Sequence, residues 1–210
     1  MRFLIPAGPP REPIDPVRYL SNRSSGKMGY ALAAAALAKG HEVVLVSGPV
    51  SIPAPHGATV VRVETAQEMY DAVAERIGEA EVAIFCAAVA DYRVAEVAEE
   101  KIKKTGETLT LTLIKNPDIL GSARSVFGFT GLLVGFAAET EKLAEHALGK
   151  LRRKGCDLLV ANDVSRRDIA FDRDENEVEL FYRDGRHETL AQASKREIAE
   201  GLVARVEGMG

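Results

Sequence analysis

The residues of this chain that could do chemistry are amides, lysines and a carboxylate that follow predicted strands. Asn22 stands just before the Ser-Ser-Gly at 24–26, where a predicted helix opens, and Asp91 follows an apolar run. Lys150 and Lys154 are four residues apart, so they project from one face of a helix. Lysine side chains and the N–H groups of a helix start both attract phosphate. In a chain whose net charge is -4, this set favours a pocket for a polyphosphate ligand.

Each of these features also has an ordinary structural interpretation. Lys150 and Lys154 suit the negative end of a helix dipole, and the lysine-rich run 101–104 suits a solvated surface. The Asn-Pro-Asp at 116–118 is typical of a turn followed by a helix cap. It is their convergence on one sheet edge that favours a binding site.

A long loop separates the first predicted strand from the helix that opens at the Ser-Ser-Gly. Five of the ten residues from Gly8 onward are glycine or proline, which restricts the conformations that the loop can adopt. At roughly 18 residues the loop exceeds the usual connection, and long loops in compact domains are typically functional. We expect it to bind an anion.

Short apolar runs alternate with helical patterns along the chain. The runs are typical of strands buried on both faces of a parallel sheet, and they lie at 3–5, 43–46, 82–89, 132–138 and 158–161. Helices are predicted over 30–39, 65–78, 140–154 and 194–206. This alternation predicts a single α/β domain over 1–210, with a doubly wound, mostly parallel, Rossmann-like sheet.

Two segments depart from the alternation. The first is the charged stretch 93–107, which precedes a strand-like Leu-Thr-Leu-Thr-Leu at 109–113. The second is a late hairpin, indicated by Asp184-Gly185 between two strand-like runs.

Several functional classes lack their sequence signals. There is no GxxxxGK[ST], no GxGxxG after the first strand and no GxSxG, and the four histidines show no metal-ligand spacing. The net charge argues against nucleic-acid binding, and no apolar stretch is long enough to span a membrane. Two cysteines in unrelated contexts suit a reducing cytoplasm, which is the expected location.

Six motifs together carry a resemblance to a known family. They lie at 7–29, 87–93, 101–104, 115–119, 134–140 and 161–164, and they resemble phosphopantothenoylcysteine synthetase. In many bacteria that enzyme is the carboxy-terminal half of a bifunctional coenzyme A biosynthesis flavoprotein. The family usually has Gly-Pro-Thr before Arg-Glu-Pro, whereas this chain has Pro10 at the threonine position, which removes a hydroxyl and a backbone N–H.

The resemblance implies a ligase that joins 4'-phosphopantothenate to L-cysteine through an acyl-cytidylate, with CTP and Mg²⁺. It also implies a homodimer and a phosphopantothenoylcysteine decarboxylase, separate or fused, as a partner. Two alternatives remain open at this point: a Rossmann-type dinucleotide-dependent oxidoreductase and a non-catalytic nucleotide-binding module. The sequence does not decide between CTP and ATP.

The resemblance also implies site residues. Asn22 would act on the acyl intermediate, and Asp91 would bind the metal. From the charged segment that contains Lys101 we also expect a lid that closes over the intermediate. The implied nucleotide site comprises Phe85, Cys86, Ala87, Asp91, Lys101, Pro117, Asp118, Ile119, Leu120, Phe136, Lys150 and Lys154. The expected substrate-binding residues are Arg18, Asn22, Ser24, Ser25, Gly26 and Ala88; charge and position place Arg18 and the helix start among them.

Overall fold

The computed structural model describes residues 1–104, 106–139, 141–163 and 175–210, and the side chains of residues 139 and 163 are left aside. The strands are β1 (Arg2–Ala7), β2 (Glu12–Pro13), β3 (Tyr19–Leu20), β4 (Glu42–Ser47), β5 (Thr59–Arg62), β6 (Val82–Phe85), β7 (Tyr92–Val94), β8 (Leu113–Lys115), β9 (Leu132–Glu139), β10 (Leu158–Asp163), β11 (Glu175–Tyr182) and β12 (His187–Ser194). The helices are α1 (Lys27–Ala38), α2 (Ala66–Arg76), α3 (Ile119–Ser125), α4 (Leu143–Lys154) and α5 (Lys195–Glu207), and a 3₁₀ turn spans Ile77–Glu79.

Eight strands form one sheet in the order β12-β11-β10-β9-β6-β1-β4-β5. The strands from β10 to β5 run parallel to their neighbours, while β11 and β12 add an antiparallel hairpin at one edge. The predicted doubly wound, mostly parallel fold is therefore confirmed, and so is the late hairpin. Within the described residues, no helix is both long and apolar enough to cross a membrane.

Helices cover both faces of this sheet, because alternate side chains of the central strands are apolar on each side. Phe3 and Ile5 of β1 point to the face covered by α1 and α5, whereas Leu4 points to the opposite face, covered by α2, α3 and α4. All three side chains are at most 1% exposed. This two-sided burial explains why the parallel strands have continuous apolar runs.

The long loop after β1 is ordered by buried carboxylates. Glu12 accepts a hydrogen bond from the first backbone N–H of α2, at 2.9 Å from Ala66. Asp15 accepts from the side chain of Arg18 and, at 3.1 Å, from the backbone N–H of Ile102. The loop is thus tied both to a neighbouring helix and to the charged segment, which confirms that it has a defined shape.

The structure corrects several predicted boundaries. The run 82–89 is a strand only as far as Phe85, because the residues after it line cavities instead of the sheet core. Of the residues predicted as a strand at 109–113, only Leu113 lies in a strand. It begins β8, which pairs with β7 in a separate two-stranded sheet. The predicted helix start Thr140 and the motif residue Val164 lie outside the described residues.

Candidate functional site

The topology creates a crevice between β1 and β6. The chain leaves β1 through α1 towards β4 and β5 on one side, and returns to β6, β9 and β10 on the other. The loops that follow β1 and β6 therefore diverge at the carboxyl ends of the strands. Open α/β sheets bind their ligands at such a switch point.

The first cavity has a volume of about 540 Å³ and lies between the end of β6, the start of α3 and the last turns of α4. Most of the residues expected to bind a nucleotide line it together. They are Phe85, Ala87, Asp91, Pro117, Asp118, Ile119, Leu120, Phe136, Lys150 and Lys154. Two members of that set do not line it: Cys86 and Lys101.

Cations from α4 dominate the charge of the first cavity. Lys150, Arg153 and Lys154 all line it, and the Lys150 ammonium donates to the backbone oxygen of Phe136 at 2.7 Å. Lys154 forms an ion pair with Asp118, the N-cap of α3. Although burial acts to raise the pKa of Asp118, the hydrogen bonds from Lys154 and the Gly121 N–H hold it below its ordinary value. One carboxylate, that of Asp118, is thus already bound to a lysine of the cavity.

Asn116 fixes the opposite wall of the first cavity. Its side-chain amide donates to the backbone oxygen of Ala90 at 2.8 Å, and its backbone N–H donates to the backbone oxygen of Asp91 at 2.8 Å. Arg93 in turn donates to the Asn116 side-chain oxygen at 3.2 Å. The turn predicted at this asparagine is therefore also a brace that holds Asp91 at the cavity.

The acidic residues of the first cavity offer limited ligation for a metal ion. Among the described residues no group of three or more histidine, cysteine, aspartate or glutamate side chains could hold a metal. Asp91 and Asp118 both line the cavity. Because Mg²⁺ is commonly held by one or two carboxylates together with substrate phosphates, the donor set fits a Mg²⁺ that arrives with a nucleotide.

The second cavity, of about 240 Å³, lies against the start of α1. It collects almost all of the expected substrate-binding residues, Asn22, Ser24, Ser25, Gly26 and Ala88, together with Cys86. The Asn22 amide donates to the backbone oxygen of Ala88 at 3.1 Å, which aligns the asparagine with the loop after β6. Gly26, in the left-handed region with φ 75°, caps α1 without any side-chain hydrogen bond.

The two cavities share a wall. Ala87, Val89, Phe136 and Lys150 line both of them. A ligand in the first cavity and a ligand in the second therefore meet at this shared wall, beside the Lys150 ammonium. We call this place the junction.

Arg18 and Lys101 lie outside both cavities. The guanidinium of Arg18 forms an ion pair with the buried Asp15 at 2.5 Å and also donates to the backbone oxygen of Ile102 at 3.1 Å. This ion pair holds the pKa of Asp15 well below its usual range, against the effect of burial. Lys101 is exposed, next to that anchored residue. The Arg18 side chain thus belongs to the link between the long loop and the charged segment, and Lys101 is the neighbour of a residue in that link.

Several polar residues of the site are absent from the sequence-based set. Lys195 and Asn176 line the second cavity, although they belong to the last helix and the late hairpin. Lys27 and Asn162 also line it, and Lys115 and Arg153 line the first cavity. A single sequence can indicate site residues only where they follow a predicted strand or lie in a recognised motif. Asn162 meets this condition and could have been predicted, whereas Lys195 does not.

Comparison with known proteins shows the family. The family described as DNA/pantothenate metabolism flavoprotein C-terminal domain matches residues 1–209. The coenzyme A biosynthesis bifunctional protein CoaBC of Haemophilus influenzae is 48% identical over 202 residues, which cover 96% of this chain and 50% of that protein. The CoaBC of Escherichia coli (strain K12) is 50% identical over 188 residues, 88% of this chain and 46% of that protein.

Solved structures agree with the sequence relatives. A crystal structure of the C-terminal domain of CoaBC has a TM-score of 0.85 and 40% identity, and the match covers 99% of this chain and 94% of that one. The chain thus spans about half the length of the curated relatives it matches, and corresponds to their C-terminal domain. It belongs to the DNA/pantothenate metabolism flavoprotein C-terminal domain family.

Proposed function

We propose that this chain is a phosphopantothenoylcysteine synthetase of coenzyme A biosynthesis, which joins 4'-phosphopantothenate to L-cysteine at the expense of CTP. The observation that carries this proposal is the junction, where a cation-lined cavity and a second cavity share Ala87, Val89, Phe136 and Lys150. A two-substrate ligase requires two pockets that bring an acyl group and a nucleotide phosphate together. The CoaBC relatives support the same assignment.

In the first half-reaction the nucleotide occupies the first cavity and 4'-phosphopantothenate the second. A carboxylate oxygen of the substrate attacks the α-phosphorus, the bond to the β-phosphate oxygen breaks, and pyrophosphate leaves. Such transfers depend on positioning and on neutralising charge, which Lys150 can supply at the junction and Lys154 beside the leaving phosphates. Binding of the triphosphate then competes with Asp118 for Lys154.

A magnesium ion bound with the nucleotide would neutralise phosphate charge. Asp91 is the carboxylate that would hold it, since it lines the first cavity whereas the other carboxylate there, Asp118, is paired with Lys154. Asn116 keeps the Asp91 backbone in place through its 2.8 Å hydrogen bond.

In the second half-reaction the amine of L-cysteine attacks the acyl carbon of the acyl-cytidylate. The C–O bond to the phosphate breaks, CMP leaves, and the amine nitrogen loses a proton. Asn22 lies beside Ala88 in the second cavity, where its amide can donate to the oxyanion of the tetrahedral intermediate.

Lys101 is proposed to act from a lid. Its segment is anchored to the long loop through Ile102, Asp15 and Arg18, so a closing movement of the lysine would pivot about this anchor. A closed lid would keep water from the mixed anhydride, which water would otherwise hydrolyse.

A homodimer is proposed from the exposed apolar side chains of the β7–β8 sheet and of the long loop. Tyr92, Leu113 and Ile114 of the β7–β8 sheet are each at least 40% exposed, and so are Val17 and Tyr19 of the long loop. Exposed apolar surface of this kind suits a protein interface. Light scattering should give twice 22.6 kDa, and a single species at 22.6 kDa would refute the dimer. A cytoplasmic location and a decarboxylase partner, separate or fused, complete the proposal.

The test is pyrophosphate release with Mg²⁺, 4'-phosphopantothenate and CTP, with and without L-cysteine, and with ATP in a parallel series. Release that depends on 4'-phosphopantothenate, with mass spectra of first the acyl-cytidylate and then the cysteine adduct, is the expected result. Higher activity with ATP would keep the reaction and change the nucleotide. Nucleotide binding by a folded sample without release would indicate a binding module instead.

A further inference from the structure

The charged segment is fastened to the long loop at two points. The Ala98 N–H donates to the backbone oxygen of Ile14 at 3.0 Å, and the Ile102 N–H donates to the Asp15 carboxylate at 3.1 Å. The two bonds join neighbouring residues of the loop to two segment residues on either side of Lys101. Any movement of this exposed lysine therefore starts from two fixed points.

The second of these points depends on the carboxylate of Asp15, whose side chain is fully buried. One of its oxygens accepts from the backbone N–H groups of Val17 and Arg18, both at 2.9 Å. The other oxygen accepts from the Arg18 guanidinium and from the Ile102 N–H. Four of these five hydrogen bonds come from the turn that contains Asp15, and one comes from the charged segment.

A turn of this kind does not by itself require a buried carboxylate. In the late hairpin, Asp184 accepts from the backbone N–H and from the guanidinium of Arg186, yet the Asp184 side chain is 54% exposed. Asp15 has the same kind of local pairing, but it also reaches Ile102, which is 87 residues away along the chain. Because burying a charge is costly unless hydrogen bonds offset the cost, the burial of Asp15 indicates that the long-range contact matters.

The loop that holds Asp15 also carries Asn22 to the second cavity. The Asn22 amide is fixed there by its 3.1 Å hydrogen bond to the backbone oxygen of Ala88. On the other side of Asp15, the loop is fixed to α2 through Glu12. Asp15 lines neither cavity. It nevertheless joins the loop of Asn22 to the segment of Lys101, the two residues that the proposed function assigns to the acyl intermediate.

We propose that Asp15 is a positioning residue of the ligase, which sets the place of Lys101 relative to Asn22 through its hydrogen bond to the Ile102 N–H. This inference rests on the proposed function. Lys101 reaches the intermediate from a fixed pivot only while this bond holds. Because a displacement of about 1 Å can cost about 100-fold in rate, a buried residue outside both cavities can control the reaction.

The experiment compares Asp15→Asn with Lys101→Gln and with the double variant, in the complete reaction with Mg²⁺, 4'-phosphopantothenate, CTP and L-cysteine. In Asp15→Asn one acceptor oxygen becomes an NH₂ group that faces other donors, so the bond to Ile102 or the turn that supports it is lost. We expect kcat to fall about 10- to 100-fold, and more of the acyl-cytidylate to be hydrolysed to 4'-phosphopantothenate and CMP.

The double variant distinguishes positioning from a general structural role. If Asp15 acts through Lys101, removing it has no further effect once the lysine is gone. The kcat of Asp15→Asn/Lys101→Gln should then equal that of Lys101→Gln within about 2-fold, whereas two independent losses would multiply.

A second pair of variants tests the contact without altering Asp15. Ile102→Pro removes the N–H donor, whereas Ile102→Ala shortens the side chain and keeps the donor. The rate of trypsin cleavage after Lys103, followed by mass spectrometry without any substrate, reports how firmly the segment is held. Because a hydrogen bond to a charged group is lost, this cleavage should be about 10-fold faster in Asp15→Asn and Ile102→Pro than in Ile102→Ala.

Asp184→Asn is the matched control. It removes the same charge from an aspartate that pairs with a nearby arginine but belongs to the late hairpin. Both kcat and the cleavage rate after Lys103 should equal those of the wild type.

The outcomes separate the two proposals. A wild-type kcat in both Asp15→Asn and Ile102→Pro, in a protein that makes the cysteine adduct, would overturn the positioning role and leave the ligase standing. Multiplied losses in the double variant would show that Asp15 acts independently of Lys101 and would also overturn it. If the wild type makes no adduct although the two variants accelerate cleavage after Lys103, the contact stands, and the ligase assignment falls together with the positioning role.

Discussion

Replacing Gly26 by alanine should destabilise the fold through two separable effects. The residue has φ 75°, and an alanine Cβ there would lie 2.7 Å from the Val50 side chain and 3.3 Å from the Gly8 Cα. The left-handed backbone costs about 1–2 kcal/mol for a residue with a Cβ. Overpacking adds about 1–3 kcal/mol. Together they predict a loss of about 2–5 kcal/mol in the free energy of unfolding.

Gly40 is the matched control for the backbone effect. Its φ is 81°, yet a Cβ there would meet no atom within 4 Å. Gly40→Ala should therefore lose only the backbone contribution of about 1–2 kcal/mol. Val50→Ala relieves the steric overlap at Gly26 but not the backbone strain. The double variant Gly26→Ala/Val50→Ala should therefore be more stable than the sum of the two single-variant losses predicts, by about 1–3 kcal/mol.

The assay is urea denaturation of the four variants and the wild type at one pH, followed by circular dichroism and fluorescence. The steric explanation predicts that Gly26→Ala lowers the free energy of unfolding more than Gly40→Ala does. It also predicts that adding Val50→Ala to Gly26→Ala removes this difference. Equal losses at the two glycines, or additive effects of Gly26→Ala and Val50→Ala, would show that the close approach at the start of α1 is relaxed at no cost.

Three other changes follow from the site and its loop. Asn22→Asp should still release pyrophosphate but pass the acyl group to cysteine poorly, so mass spectrometry should show accumulated acyl-cytidylate; normal adduct formation would reject the role of Asn22. Lys101→Gln should lower turnover and release free 4'-phosphopantothenate from the intermediate; normal turnover would reject the lid. Asp15→Asn should reduce stability at neutral pH. Because the folded pKa of Asp15 lies below its unfolded value of about 3.9, its contribution is present above that pH and fades as the pH falls, so urea denaturation of wild type and variant should converge in acid.

Local patterns predicted most of the fold. The apolar runs predict the parallel strands because both sheet faces are covered. Capping residues predict helix starts: Thr-Ala-Gln-Glu at 65–68 has the pattern of a capping box, and Thr65 accepts from the Glu68 N–H at 3.2 Å, as that pattern predicts. The reciprocal bond differs, since the Glu68 side chain accepts from Glu64 instead. Such features depend on neighbours a few residues apart, so a single sequence contains them.

Long-range pairings escaped prediction. The Asp15–Arg18 ion pair escaped prediction although its partners are three residues apart, because the contact of Asp15 with the distant Ile102 is not visible in the sequence. The substrate-binding role of Arg18 stays a prediction. Lys195 gave no signal because only the return of the β11–β12 hairpin brings the start of α5 to the second cavity. Leu109 belonged to an alternating pattern typical of a half-buried strand, but it is 55% exposed because no sheet face covers it.

Cys86 lines the second cavity, which the acyl part of the proposed acyl-cytidylate would occupy. A reactive thiolate at that place would compete with the incoming cysteine and leave the enzyme acylated on its own side chain. Burial raises the pKa of Cys86 to about 12, although the positive charge of Lys195 opposes the rise. Near neutral pH fewer than about one such thiol in ten thousand is ionised, and only the thiolate is a good nucleophile. A thiol on the wall of the second cavity is thus held in its neutral form, which would protect the mixed anhydride of the proposed intermediate from attack by the enzyme's own sulfur.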